Sequence, residues 1–310
     1  MDRMKDRALL DATAPVAEAL YQRHLAKSKE WFPHQLVPWS QGRDFEPGEV
    51  WDPRDYPLPD AVRSALYVNL LTEDNLPYYF HAISWLFTED RIWGEWNRRW
   101  TAEEHRHSIV MRDWMTVTRA FDPVELERGR MAQVSTGFTH EGSLQDTCEG
   151  VVYVTLQELA TRISHRNTGR LLGDSPGAEI MARVATDENF HFLFYRDQAS
   201  AMLEVDPSLM VLAMETQVKG FKMPGVGIPS FSQHAAVIAA AGIYDFAIHY
   251  DQILAPVVLR HWRLESLTGL SAEAEQSRER TVAHLQRIER VGRRLADRRD
   301  RDTMAGAAAG

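Results

Sequence analysis

Two short stretches of the chain carry the same arrangement of carboxylate and imidazole. EEHRH at 103–107 supplies Glu104 and His107, and DENFH at 187–191 supplies Glu188 and His191. Each is Glu-x-x-His, and a spacing of three puts both side chains on one helix face, about one turn apart, where they can grip the same ion. One such pair carries little weight in a chain with 12 histidines and 44 acidic residues, because chance supplies many. The partners upstream change that. Glu73 precedes Glu104 by 31 residues and Glu158 precedes Glu188 by 30, so a lone helical Glu, a turn and a Glu-x-x-His helix occur together twice. At about 1.5 Å rise per residue, both members of each unit lie roughly 20 Å from the connecting loop and meet near mid-bundle. Four carboxylates and two imidazoles then converge on one buried point. Unpaired charges there would cost more than a fold tolerates, whereas two ions of charge +2 balance four carboxylates.

Carboxylate oxygen with imidazole nitrogen suits iron or manganese. A Glu from each of two helices with Glu-x-x-His from two others is the arrangement of ferritin-like carboxylate-bridged sites. The residues nearby have candidate roles beside bland ones. An iron-bound His normally donates its other ring N–H to a carboxylate or carbonyl. Glu103 and Asp187, each one position before a ligand Glu, are placed to orient the imidazole of the opposite half, or simply to be solvated. Thr161, three residues after Glu158, faces the interior and either bonds reacting oxygen at the iron or back-bonds within its helix. His105, a third of a turn from Glu104, is not expected as a ligand. Pro77 removes the bond to the carbonyl of Glu73, which predicts a helix loosened or bent at its ligand.

The elements that must hold these residues read as long amphipathic helices, with no alternating runs flanked by hairpin turns, so the class is all-α. Helices are expected over about 61–87, 90–120, 143–172 and 176–203, the first two packing antiparallel across a short turn. Gly173, Ser175 and Pro176 close the third and open the fourth as C′ glycine, N-cap and first-turn proline. Between them, 123–142 reads as a crossover. Residues 1–60, rich in Trp and Pro, read as an arm packed over the bundle, and 302–310 as a flexible tail. The whole, 1–310, is read as a single domain.

Composition fits an ordinary globular protein, with 44% hydrophobic and 25% charged residues. The net charge of −9 argues against nucleic-acid binding. Cys148 is the only cysteine, which excludes an internal disulfide or thiolate cluster. The longest apolar run, 235–244, is about half of the roughly 20 residues a membrane span needs. The first residues lack the apolar core of a secretion signal, so a cytoplasmic location is expected.

At these residues the chain resembles the soluble acyl-[acyl-carrier-protein] desaturases, of the plant stearoyl type and more closely the mycobacterial type. The likeness is carried by LLTEDNLPYY (70–79), WTAEEHRH (100–107), LQELATRISHRNTGR (156–170), DENFH and LTGLSAE (267–273), and runs from about Trp31 to about Arg294. HRNTGR and LTGLSAE separate this family from ribonucleotide reductase subunits and hydroxylases, which share the metal motif. The resemblance implies a ferritin-like bundle extended by further helices, and two iron ions, Fe2+ and Fe3+ by turns, on Glu73, Glu104, His107, Glu158, Glu188 and His191. It also implies O2 as co-substrate, an acyl chain carried on acyl carrier protein, a ferredoxin-type electron donor and a homodimer. The family's active-site threonine falls on Thr161, and its electron route on Trp39, Asp187 and His107. The chain departs from the family at His105, a usual asparagine. For an acidic carrier protein, Arg98, Arg99, Lys219, Lys222 and the Arg-rich 287–301 segment are candidate contacts, or solvated faces. Two rival readings stand beside this one. The same site suits hydroxylation, or desaturation of a specialised carrier-bound chain in secondary metabolism. A protein of another class would only bind or store iron.

Overall fold

A computed structural model of the chain describes residues 3–137, 146–173, 175–225 and 227–308. Among the described residues there is no strand. The bundle that matters is built from α3 (Asp60–Glu73), α4 (Leu76–Phe87), α5 (Arg91–Val117), α7 (Thr147–Leu171) and α8 (Pro176–Val205), with α1 (Arg3–Lys27) laid along α8 and α5. A short α2 (Pro33–Leu36) follows α1, α6 (Pro123–Thr136) links α5 to α7, and α9 (Pro207–Gly220) packs on α7. Then come α10 (Phe231–Ala240) against α3, α11 (Phe246–His249) continuing into a π-helical stretch Tyr250–His261, and α12 (Ala272–Ala308).

The residues that bound these helices do so for readable reasons. Asp146 caps α7 by accepting from Glu149 N–H, and Ser175 caps α8 by accepting from Ala178 N–H, with Pro176 in the first turn where its missing donor costs nothing. Gly173 takes φ +64°, the left-handed conformation expected of a residue that ends a helix. Asp122 and Asp206 cap α6 and α9 in the same way, each followed by proline. The expected crossover is thus helical over Pro123–Thr136, and 138–145, which cover its end and the expected start of the third long helix, lie outside the described residues.

Three features depart from the sequence expectation. The helix expected over 61–87 is two helices, because Pro77 has no N–H for the carbonyl of Glu73; α3 stops at that residue and Asn75 N–H turns back to Thr72. The arm at 1–60 contains the 25-residue α1, whose buried stripe is Leu10, Thr13, Ala17, Leu20 and His24. The segment 302–308, read from sequence as part of a tail, continues α12 as helix through Ala308, and 309–310 lie outside the described residues.

Two apolar cores flank the middle of the bundle. One includes Trp96, Trp100, Leu156, Leu159 and Phe194, with the rings of Trp96 and Phe194 stacked at 3.7 Å between centroids. The other includes Leu70, Leu71, Val110, Met111, Trp114 and Val184. Glu73, Glu104, His107, Glu188 and His191 sit in sequence where one core gives way to the other, and Glu158 lies among residues of the first core.

Candidate metal centre

All six side chains converge. Glu73, Glu104, His107 and Glu188 form one group, and Glu104, Glu158, Glu188 and His191 a second, each with its ligand atoms within 4.8 Å of one another. The groups share Glu104 and Glu188, so the arrangement is two adjoining cation sites with two carboxylates in common. None of the six is more than 7% exposed.

The ring nitrogens are sorted by role. Nδ1 of His107 faces the cluster, 3.4 Å from Glu188 Oε1, 3.5 Å from Glu104 Oε2 and 3.6 Å from Glu73 Oε2, while Nε2 faces Asp187 Oδ2 at 3.5 Å. Nδ1 of His191 likewise lies 2.7 Å from Glu104 Oε1 and 3.6 Å from Glu158 Oε2, while Nε2 meets Glu103 Oε2 at 3.0 Å. Each imidazole is therefore backed by the carboxylate that precedes the other half's glutamate. Glu103 and Asp187 are themselves anchored. Asp187 Oδ2 accepts from Trp31 Nε1 at 2.8 Å and Arg106 Nη2 at 3.1 Å. Glu103 Oε2 lies 2.9 Å from His24 Nε2, and Oε1 accepts from Arg99 Nε at 2.6 Å.

The central atoms lack partners in a way that fits metal ions. Glu104 Oε1, Glu158 Oε2 and Nδ1 of both histidines are buried without a hydrogen bond. Even at 2.7 Å, His191 Nδ1 and Glu104 Oε1 lack hydrogen-bond geometry, as two donors aimed at a common third centre would. Orphaned polar atoms this deep are rare unless something else satisfies them. Burial, reinforced by Glu188, pushes the carboxyls of Glu158 and Glu104 upward. Burial pushes Glu73 the same way, but the imidazoles of His107 and His165 beside it outweigh that and hold it below the usual carboxylate range. For His107 and His191, burial disfavours the charged ring, yet the surrounding carboxylates raise both well above an ordinary imidazole. Protons are thus shared among groups that cannot all ionise together, and divalent cations would relieve the repulsion. The donor set, all oxygen and imidazole nitrogen, suits a pair of iron ions.

Thr161 is at the centre: its hydroxyl lies 2.8 Å from Glu188 Oε2 and 3.0 Å from the carbonyl of Glu158. Trp39 is not. Its indole is half exposed and donates to the carbonyl of His34, and Trp31 takes the place beside Asp187 that the resemblance had put on Trp39. His105 is exposed, away from the cluster. Two contacting residues were not anticipated from sequence. His165, four residues beyond Thr161 on the same helix face, approaches Glu73 Oε1 at 3.1 Å, and Trp100 donates to Glu158 Oε1 at 2.9 Å.

Fold and site together define a helical-bundle protein with two adjoining buried carboxylate–imidazole groups that suit metal ions. The family model described as "Fatty acid desaturase" matches residues 5–308. A Mycobacterium tuberculosis protein named as acyl-[acyl-carrier-protein] desaturase DesA1 is 42% identical over 282 residues, 87% of this chain and 83% of its own. Stearoyl-[acyl-carrier-protein] 9-desaturase 6, chloroplastic, of Arabidopsis thaliana is 32% identical over 86% of this chain and 72% of its own. The X-ray structure of DesA2 from M. tuberculosis H37Rv, titled an acyl-ACP desaturase, superposes with a TM-score of 0.68 at 27% identity, covering 87% of this chain and 99% of that one. The chain belongs to the fatty acid desaturase family.

Proposed function

We propose that the protein removes two hydrogens from an acyl chain presented as a thioester on acyl carrier protein, using O2, two iron ions and electrons from a ferredoxin-type donor. One observation carries the substrate class beyond the relatives' names. A pocket walled by Ile83, Leu86 and Val154 is bordered by four of the carboxylates that converge at the centre, Glu73, Glu104, Glu158 and Glu188. An apolar chain lying there would have its methylenes against the centre and water kept out.

Glu73, Glu104, His107, Glu158, Glu188 and His191 would hold the ions. Bound iron supplies the oxidising power, with O2, that an unactivated methylene requires and side-chain acids and bases cannot provide. The chain's own residues orient and insulate. Glu103 fixes the ring orientation of His191 through Nε2, Asp187 faces Nε2 of His107 at 3.5 Å, Trp100 holds Glu158, and Thr161 donates to Glu188. The contacts Trp31–Asp187–His107 support an electron route that starts at Trp31. Arg99 and Lys219 are committed to Glu103 and Glu215, which leaves Arg98, Lys222 and exposed arginines of the 287–301 segment such as Arg287, Arg290 and Arg294 as the carrier-protein contacts. A cytoplasmic homodimer completes the reading; no described helix is long and apolar enough to cross a membrane.

The test is product identification. Iron-loaded protein, a ferredoxin reducing system and saturated acyl chains on carrier protein should yield, by mass spectrometry, a product lighter by two hydrogens. A product heavier by one oxygen, without alkene, would replace desaturation by hydroxylation, and many iron atoms per chain without product would indicate storage.

A further inference from the structure

Behind His191 the centre is walled by aromatic rings that the proposed function leaves unused. The Trp96 ring, on α5, meets the His191 ring edge-on at 6.1 Å between centroids, and the Tyr21 ring, on α1, meets Trp96 edge-on at 6.4 Å. Both separations are those of packed rings. Three rings from three helices therefore run in contact from the ligand imidazole outward. Their burial is graded, since His191 is fully buried and Trp96 is 2% exposed, whereas Tyr21 is only partly buried. Phe194 stacks on Trp96 at 3.7 Å and fixes the plane of the indole. Tyr195 also touches Trp96, at 5.7 Å between centroids, but is 1% exposed and offers no way out. The indole nitrogens beside the centre differ as well. Trp100 Nε1 donates to Glu158, while Trp96 Nε1 is buried and makes no hydrogen bond. An oxidised indole with no base beside it keeps its proton, stays a cation radical and passes the oxidation on.

We propose that Trp96 and Tyr21 form a relief route, which carries oxidising equivalents away from the centre when O2 is activated with no substrate in place. Indole and phenol are the side-chain rings that most readily yield an electron, and an oxidant able to attack a methylene would otherwise attack its own ligands. One electron passes from Trp96 through the His191 ring to the oxygen-derived oxidant, which is reduced by one. Tyr21 returns an electron to Trp96 and releases its phenolic proton to water. The neutral tyrosyl radical left on α1 is then reduced by a hydrogen atom from a thiol in solution. This route is distinct from that through Trp31, which enters at His107. The inference rests on the iron and O2 of the proposed function and adds a protective activity to it.

The experiment uses the full-length protein loaded with ferrous iron anaerobically, mixed with O2 in the absence of any acyl chain and frozen at intervals for EPR spectroscopy. An organic radical should appear, and ring-deuterated tyrosine should narrow its spectrum. Tyr21→Phe should abolish that signal and leave the oxidation on Trp96, as a radical narrowed by deuterated tryptophan instead. Trp96→Phe should remove both signals with iron content unchanged. Tyr21→Phe, which loses a single hydroxyl near the surface, decides the matter should Trp96→Phe disturb folding. A saturated chain on carrier protein, supplied before O2, should suppress the radical of the parent. After repeated cycles of reduction and O2 without substrate, peptide mass spectrometry should find more oxygen added around the centre in Tyr21→Phe than in the parent. No radical in the parent, a tyrosyl signal that survives Tyr21→Phe, or a radical as strong with substrate as without would overturn the relay, while alkene formed from the carrier-bound chain keeps the desaturase reading. Failure to take up iron or to consume O2 would overturn both.

Discussion

Because Glu104 and Glu188 belong to both ligand groups and Glu73 to one, substitutions at these positions should not be equivalent. Glu104→Ala removes a donor common to both ions and should reduce iron from two atoms per chain to none, whereas Glu73→Ala should leave one. The thermal consequence follows from linkage: an ion free at 100 times its dissociation constant stabilises by about 2.7 kcal/mol, so two contribute about 5.4 kcal/mol. For 310 residues the unfolding entropy is about 0.65 kcal/mol per kelvin, which makes the expected rise in melting midpoint about 8 °C for two ions and about 4 °C for one. The parent should therefore gain about 8 °C on adding ferrous iron anaerobically, Glu73→Ala about half, and Glu104→Ala nothing. Metal-free Glu104→Ala should still melt cooperatively, because it loses a carboxyl that burial and Glu188 already push upward. The measurements are calorimetry with and without iron and metal analysis after desalting. Two irons retained by Glu104→Ala, or both lost by Glu73→Ala, would refute the shared-carboxylate geometry.

Other outcomes are equally specific. Trp31→Phe should lower ferredoxin-driven turnover about tenfold with iron content unchanged, since it removes a bond that fixes the carboxylate behind His107, whereas Trp39→Phe should behave like the parent. Asp74, raised by burial from 3.8 to about 6 despite its Arg112 partner, keeps its proton in the fold where the unfolded chain has lost it. The stability it lends is complete below about pH 4 and lost as pH rises to about 6, a change on the order of 3 kcal/mol. Denaturant titration of metal-free protein should record that fall, and Asp74→Asn should flatten it. Gly177→Ala places a Cβ 2.3 Å from Trp114 Cζ2, and overpacking of about 1–3 kcal/mol should lower the melting midpoint by about 2–5 °C.

The ligand set was legible because its physics repeats: two helical pairs at matching height leave few alternatives to a shared charge-neutralising centre. The break at Asp74 and Asn75 was foreshadowed by Pro77, although separation into two helices depends on neighbours that a sequence does not display. Helix α1 was overlooked because its buried stripe holds Thr13, Ala17 and His24, which blur an apolar period, and because Pro15 falls within it. With α1 unread, His24 had no reason to stand behind Glu103. Trp31 was one of several tryptophans in a proline-rich stretch, and which of them reaches Asp187 is a tertiary fact 156 residues long. His165 did leave a signal, since Glu158, Thr161 and His165 follow helical spacing along one face.

One anchor behind each imidazole comes from the first 31 residues: His24 meets Glu103 across 79 positions and Trp31 meets Asp187 across 156. During synthesis that segment leaves the ribosome first, yet the carboxylates it secures emerge much later, and His191 later still. Closing loops of that length is a late step in folding. The ligand set is therefore complete only after well over half of the chain has been made, and metal capture would close a largely built bundle rather than serve as the nucleus around which it grows.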